Sequence, residues 1–118
     1  LIKGIGVDVS EIDRIAAAQR KHGDFAKKVL TAGEYAQWQQ YRGRRADEYL
    51  AGRFSVKESY AKAYGTGLGS VQLHDVETLS DAAGRPYIAK GPHQGPAHVS
   101  ISHSKELVFT EVILEGSN

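Results

Sequence analysis

The hydrophobic period of this chain changes twice, and the order of those changes restricts the fold more than any single motif. Residues 2–9 alternate with a period of two, which puts Ile5, Val7 and Val9 on one face of a strand and Gly4, Gly6 and Asp8 on the other. Helical spacing then holds as far as Tyr64, and from Ser70 onward the period returns to two. A strand, then helices, then a run of strands predicts an α+β fold with an antiparallel sheet packed against helices around one long helix. Two glycines weaken the opening strand, so something must approach its backbone closely, with Asp8 at the edge of that approach.

Local signals divide the helical stretch. Ser10 reads as an N-cap, with Glu11 and Asp13 in the first turn and Ile12, Ile15 and Ala16 as the apolar stripe of a helix that stops near Gly23. A short helix is expected over 24–30. Thr31 and Glu34 have the spacing of a capping box for another helix, which passes Tyr35, Trp38 and Tyr41 and ends at Gly43. The longest helix is expected over 47–64, closed by Gly65, with Leu50, Phe54, Ala61 and Tyr64 on its buried side. Strands are expected over 71–79, 87–90, 99–103 and 107–114, separated by turns at 81–84 and 91–96.

At 118 residues the chain matches one domain, spanning 1–118, with little room to enclose a large ligand. A sizeable site must be an open cleft or be shared between subunits. The sequence holds no cysteine, which excludes a disulfide framework, thiolate zinc sites and cysteine nucleophiles. No run reaches the roughly 20 apolar residues of a membrane span, and the first residues carry glycines and an Asp where a signal peptide has an apolar core. The expectation is therefore a cytoplasmic protein without membrane contact. A net charge of +1 hides an asymmetry: residues 14–57 hold ten of the fifteen Lys and Arg against four acids, whereas 66–118 hold three bases and six acids. The basic half suits an anionic partner.

Chemistry-bearing residues concentrate on the long helix. Ala51, Ser55, Glu58 and Lys62 are spaced four, three and four apart, so they form one stripe beside the apolar one. By spacing alone, Glu58 and Lys62 are a surface ion pair worth a few tenths of a kcal/mol. The run Gly65-Thr66-Gly67-Leu68-Gly69 follows the end of that helix. Phosphate loops use helix N-termini, so it reads as a turn. His98 and His103 lie five apart, no His-Glu-x-x-His occurs, and a zinc enzyme is not indicated. His103 itself sits among hydroxyls and a cation, in Ser100-Ile101-Ser102-His103-Ser104-Lys105.

Taken together, three segments resemble the signatures of a known family. They are Gly4 to Arg14, then Leu50-Ala-Gly-Arg-Phe54 continuing through Lys57, Glu58, Lys62 and Gly65, and Val99-Ser-Ile-Ser-His103. The family is the 4′-phosphopantetheinyl transferase superfamily, in its short, single-repeat, holo-acyl carrier protein synthase type. The resemblance covers nearly the whole chain. It implies transfer of the 4′-phosphopantetheine arm of coenzyme A to a serine of an acyl carrier protein, a step in fatty acid biosynthesis that releases adenosine 3′,5′-bisphosphate and needs Mg²⁺. It also implies a homotrimer with sites at subunit interfaces.

Residue by residue, the resemblance makes Asp8 and Glu58 the metal-ligating carboxylates and Lys62 the cation beside the pyrophosphate. Arg45, Arg53 and His103, with Ser104 nearby, would surround the 3′-phosphate. Gly65 would lie against the coenzyme, and Arg85 with Pro86 would flank its base. Arg14, Lys21, Phe25 and Lys28 would meet the acidic carrier protein. Two positions depart from the family pattern: Ser59 stands where Ala is more usual, and Ser10 where longer relatives carry a second acid. A nucleic-acid module using the basic half is the main rival. It lacks a GxxG loop and alternating basic and aromatic residues on a strand. A non-catalytic coenzyme A binder would leave Asp8 and Glu58 without a role.

Overall fold

Strand β1 (Ile2–Glu11) pairs antiparallel with β5 (Leu107–Glu115), and β5 pairs on its other side with β4 (Ala97–His103). The computed structural model describes residues 1–116. Between β1 and the late strands come helices α1 (Ile12–Lys21), α2 (Phe25–Val29), α3 (Ala32–Trp38) and the 21-residue α4 (Arg44–Tyr64). A two-stranded ribbon, β2 (Glu77–Ser80) and β3 (Pro86–Lys90), forms a second sheet. The α+β class expected from the periodicity is the class observed, with the sheet divided in two.

Helix α4 crosses the inner face of the β1–β5–β4 sheet, and the glycines of β1 explain how closely. A Cβ at Gly4 would lie 1.8 Å from the carbonyl oxygen of Ala63, and one at Gly6 would lie 1.9 Å from that of Ser59. Only residues without side chains allow this contact. The close approach anticipated for this strand is therefore that of α4. Two apolar clusters lie along the helix. Leu50 and Ala51 pack with Ile12, Ile15, Val29 and Val108 at one end, and Val56, Tyr60 and Ala61 pack with Val76, Val112 and Leu114 at the other.

Several local expectations are corrected. Ser10 does not cap α1, because β1 continues to Glu11 through pairing of Ser10 with Val108 and Glu11 with Leu107. Residues 71–79 are not one strand. Gln72 and Asp75 cap each other reciprocally around a 3₁₀ turn at Leu73–Asp75, and only Glu77–Ser80 pairs with β3. Helix α4 begins three residues before Asp47, with Gly43 at φ 60° as its N-cap, and α3 ends at Trp38, before Tyr41. Tyr64 is 42% exposed and not buried, stacked against Tyr60 at 6.4 Å. The capping box at Thr31 and Glu34 is present as read, and so is the left-handed C-cap at Gly65 with φ 98°.

The capping box has a second use. The Glu34 carboxylate accepts from the Thr31 amide at 2.9 Å and the Thr78 amide at 2.7 Å, and it meets Lys57 Nζ at 2.8 Å. Neither side chain of that pair is exposed. One buried ion pair thus ties α3, α4 and β2 together. Lys57, counted by sequence with the basic half, belongs to the interior. Burial pushes its ammonium below the usual lysine range, against the pull of Glu34.

Candidate active site

Two polar regions stand apart on the surface. The first is built where β1 crosses α4. Asp8 sits opposite Thr110 in the β1–β5 register, on the face that meets the helix. Its Oδ2 accepts hydrogen bonds from Ser10 Oγ at 2.8 Å and Ser55 Oγ at 2.7 Å. Its Oδ1 faces Lys62 Nζ at 3.5 Å, and Lys62 also donates to the Val7 carbonyl at 2.9 Å. Half-buried Glu58 lies one turn before Lys62 on α4. Burial and then the charge of Asp8 push its carboxyl above the ordinary range, opposed by Lys62 and Arg14. Asp8 and Glu58, read together from the sequence, thus both adjoin Lys62, Asp8 by its Oδ1 and Glu58 one turn before it on α4.

That donor set suits one kind of ion. Among the described residues no group of three or more His, Cys, Asp or Glu could hold a metal. Two hard carboxylates from different elements, with the remaining positions left to water and phosphate oxygens, fit Mg²⁺ better than a transition metal. A cation there would relieve the repulsion that raises Glu58.

The second region is an open cleft of about 390 Å³, lined by Tyr41, Arg45, Glu48, Tyr49, Ser80, Gly84 and His103. Arg45 is exposed and stacks over Tyr41 at 5.1 Å. His103 Nδ1 lies 3.8 Å from Glu48. Ser104, just beyond, accepts from the Leu107 amide at 3.2 Å. Arg85 and Pro86 follow Gly84 in the β2–β3 turn, whose amides at Ala83 and Arg85 bind the Asp81 carboxylate. Arg53 does not line this cleft. It is 6% exposed, donates to the Thr78 carbonyl at 3.0 Å and to Ser80 Oγ at 2.7 Å, and stacks 4.1 Å over the ring of Tyr49. It lies behind two of the lining residues.

The comparisons with known proteins address the chain as a whole. The family model described as the 4′-phosphopantetheinyl transferase superfamily matches residues 4–114. This chain belongs to that superfamily. A holo-[acyl-carrier-protein] synthase of Lacticaseibacillus casei (strain BL23) is 62% identical to this transferase over 115 residues, covering 98% of the chain and 93% of that relative. One from Limosilactobacillus reuteri (strain DSM 20016) is 50% identical over 119 residues, 100% of the chain and 99% of its own length. The crystal structure of a holo-(acyl-carrier-protein) synthase from Bacillus anthracis, in complex with CoA (3′,5′-ADP), superposes with a TM-score of 0.90 at 40% identity and 98% coverage of both chains.

In the transferase, the structure brings Asp8, Glu58 and Lys62 into one region and Arg45 and His103 into the other. Neither carboxylate lines the 390 Å³ cleft. Gly65 closes α4 one turn beyond Ala61, whose carbonyl receives the amides of Gly65, Thr66 and Gly67. Arg14 and Lys21 are exposed on α1, and Arg14 is near enough to act on Glu58. Phe25 is half-buried against Phe54, with ring centroids 6.3 Å apart, and Lys28 pairs with Asp24 at 3.3 Å. Sequence reasoning missed Ser10 as a partner of Asp8, and also Thr110 and Glu48. The register that brings Thr110 beneath Asp8 has no local signal. The stripe of Ala51, Ser55, Glu58 and Lys62 was the one available hint.

Proposed function

We propose that this chain transfers the 4′-phosphopantetheine arm of coenzyme A to a serine of apo-acyl carrier protein, in a Mg²⁺-dependent reaction, within a cytoplasmic homotrimer whose sites lie between subunits. The observation that carries the metal dependence is geometric: Asp8 of β1 lies against the stretch of α4 that bears Glu58, with its Oδ1 3.5 Å from Lys62 Nζ one turn beyond Glu58. The chain's kinship with named holo-acyl carrier protein synthases supports the substrates.

In this reaction the serine oxygen of the carrier attacks the phosphorus that bears the pantetheine arm. The bond from that phosphorus to the oxygen of adenosine 3′,5′-bisphosphate breaks, and the serine proton passes to solvent. Mg²⁺, when bound, acts as a Lewis acid that spreads the charge growing on the phosphoryl and leaving oxygens. Asp8 and Glu58 would hold it. Lys62, 52% exposed and only loosely engaged by Asp8, has an ammonium to offer the pyrophosphate. In the cleft, Arg45 offers a two-donor grip for the 3′-phosphate, with His103 and the Ser104 hydroxyl beside it, and Gly84, Arg85 and Pro86 at the base. Arg53 serves that cleft from behind, by fixing Ser80 and Tyr49. Arg14, Lys21, Phe25 and Lys28 form the docking face for the acidic carrier, next to Glu58.

That neither Asp8 nor Glu58 lines the cleft of Arg45 and His103 supports the shared site. The outer face of the three-stranded sheet does so as well: Ile5, Val7 and Val9 are 54%, 56% and 55% exposed, and Phe109, paired with Val9, is 44% exposed. A second copy covering that face would bury these apolar side chains between protomers. The test combines the protein with coenzyme A, Mg²⁺ and apo-acyl carrier protein and follows the mass of the carrier. The gain of one arm is expected to vanish with a chelator and with Asp8→Ala, whose circular dichroism stays that of the parent. Normal transfer by Asp8→Ala overturns the metal assignment. After unfolding and refolding a mixture of Asp8→Ala with Arg45→Glu, about a quarter of the interfaces are intact and transfer returns. No recovery would put the whole site in one chain.

A further inference from the structure

Beneath Asp8 lies a line of buried hydroxyls. Ser55 and Ser59 are fully buried, and Ser10 and Thr110 are each 4% exposed. Ser55 Oγ lies 2.8 Å from Thr110 Oγ1, and Thr110 Oγ1 lies 2.6 Å from Ser59 Oγ. Each hydroxyl carries one proton, which fixes the direction of the whole line. Ser10 and Ser55 both give their protons to Asp8 Oδ2, because a carboxylate only accepts. With its proton spent, Ser55 must accept from Thr110. Thr110 in turn must accept from Ser59, whose alternative acceptor, the Thr110 carbonyl, is farther away at 3.2 Å.

We propose that Ser59, Thr110 and Ser55 form a one-way hydrogen-bond chain which, with Ser10, pins Asp8 Oδ2 and so presents Oδ1 to the metal side of the site. Two donors on one oxygen leave the other without a hydroxyl partner, facing Lys62 at 3.5 Å across the half-exposed edge. Aligned hydroxyls in a dry interior polarise one another, so each further donor strengthens the bond that orients the carboxylate. These are positioning residues, since each is at most 4% exposed and acts through Asp8. Ser59 is the far end of the chain, which gives a role to the position where this sequence departs from the family's usual Ala.

The inference rests on Asp8 as a metal ligand, and the experiment separates the two claims. Mn²⁺, a hard octahedral surrogate for Mg²⁺, is titrated into parent, Asp8→Ala, Ser55→Ala, Thr110→Val, Thr110→Ser and Ser59→Ala proteins. Loss of the free-ion EPR signal reports binding, and the Mg²⁺ concentration for half-maximal transfer is read in parallel. Ser55→Ala is expected to weaken metal binding about tenfold, Thr110→Val less, and Ser59→Ala least. Thr110→Ser keeps the hydroxyl and is expected to bind as the parent does, so a loss in Thr110→Val alone separates orientation from packing. Weak binding by Asp8→Ala alone, with Ser55→Ala unchanged, overturns the chain and leaves the ligand assignment standing. Equal binding by Asp8→Ala and the parent overturns both. Equal losses in Thr110→Ser and Thr110→Val overturn the hydroxyl role.

Discussion

Helix α4 carries two lysines five residues apart, and each meets a carboxylate from another element. Lys57 and Glu34 touch at 2.8 Å with both side chains fully buried, whereas Lys62 and Asp8 stand 3.5 Å apart with side-chain exposures of 52% and 14%. The first pair is saturated. Glu34 spends its remaining capacity on the Thr31 and Thr78 amides, and Lys57 also donates to the Val76 carbonyl. The second pair is left open by exposure: Lys62 also donates to the Val7 carbonyl, but its half-exposed ammonium and the Asp8 Oδ1 it faces at 3.5 Å can still meet something else. One helix thus uses the same pairing once to join elements and once to receive a ligand, and the degree of saturation decides which.

The largest effect should come from breaking the saturated pair. Lys57→Met leaves the Glu34 charge buried without a partner, a loss of about 3–5 kcal/mol. Urea unfolding should show a lower midpoint with an unchanged slope. Adding Glu34→Gln to Lys57→Met removes the stranded charge and keeps an acceptor for one of the two amides, which bond different oxygens of Glu34, so part of that loss should return. A double variant no more stable than Lys57→Met would mean that the charge was not the cause. Lys62→Met should behave in the opposite way. An ion pair so exposed contributes within about 1 kcal/mol, so the midpoint should hardly move, while kcat for arm transfer falls about a hundredfold. A Lys62→Met protein that lost stability and kept its kcat would reverse the two roles.

These pairs also mark how far sequence reasoning reached. Thr31 with Glu34 lies within one turn, and its spacing made the capping box readable; the ion pair that spacing offered between Glu58 and Lys62 is not formed, because Lys62 turns to Asp8. Gly4 and Gly6 announced a close neighbour through what they lack. Lys57 with Glu34 is 23 residues apart and Asp8 with Ser55 is 47. Such contacts depend on how α4 is laid over the sheet, which no local pattern encodes. The misreading of Ser10 has the same origin. A serine before a helix is a good cap by local rules, but pairing of β1 with β5 carried the strand past it and turned its hydroxyl to Asp8. In the 71–79 stretch, local chemistry prevailed over the apolar alternation, because Gln72 and Asp75 satisfy each other's backbone.

The arginines of the second region extend the contrast between saturated and open groups, with a smaller effect. Arg45 is exposed in the cleft, and Arg53 is occupied by Thr78, Ser80 and Tyr49. Arg45→Ala should raise KM for coenzyme A about tenfold and leave KM for dephospho-coenzyme A nearly unchanged, since the latter lacks the 3′-phosphate. Arg53→Ala should raise both alike, because it loosens Ser80 and Tyr49 and removes no direct contact. A selective effect of Arg53→Ala on coenzyme A would mean that its guanidinium leaves β2 to bind phosphate.

The smallest effects belong to the docking face, where charges are exposed and screened. Lys28 already has a partner in Asp24 at 3.3 Å, and that neighbour holds the Asp24 carboxyl below the usual range. Lys21, in the last turn of α1, has no such partner among the described residues. A carrier with an acidic surface should therefore respond more to Lys21→Ala than to Lys28→Ala, by about threefold against less than twofold in KM for the carrier. Raising the ionic strength from about 0.01 M to 0.15 M shortens the screening length from about 30 Å to about 8 Å and should reduce both differences together. If Lys28→Ala is the more damaging at low salt, the Asp24 pair opens when the carrier arrives, and it behaves like the open pair at Asp8. If the KM for the carrier does not change with salt in any variant, the docking face is held by Phe25 and its apolar surroundings, and charge plays no part in the encounter.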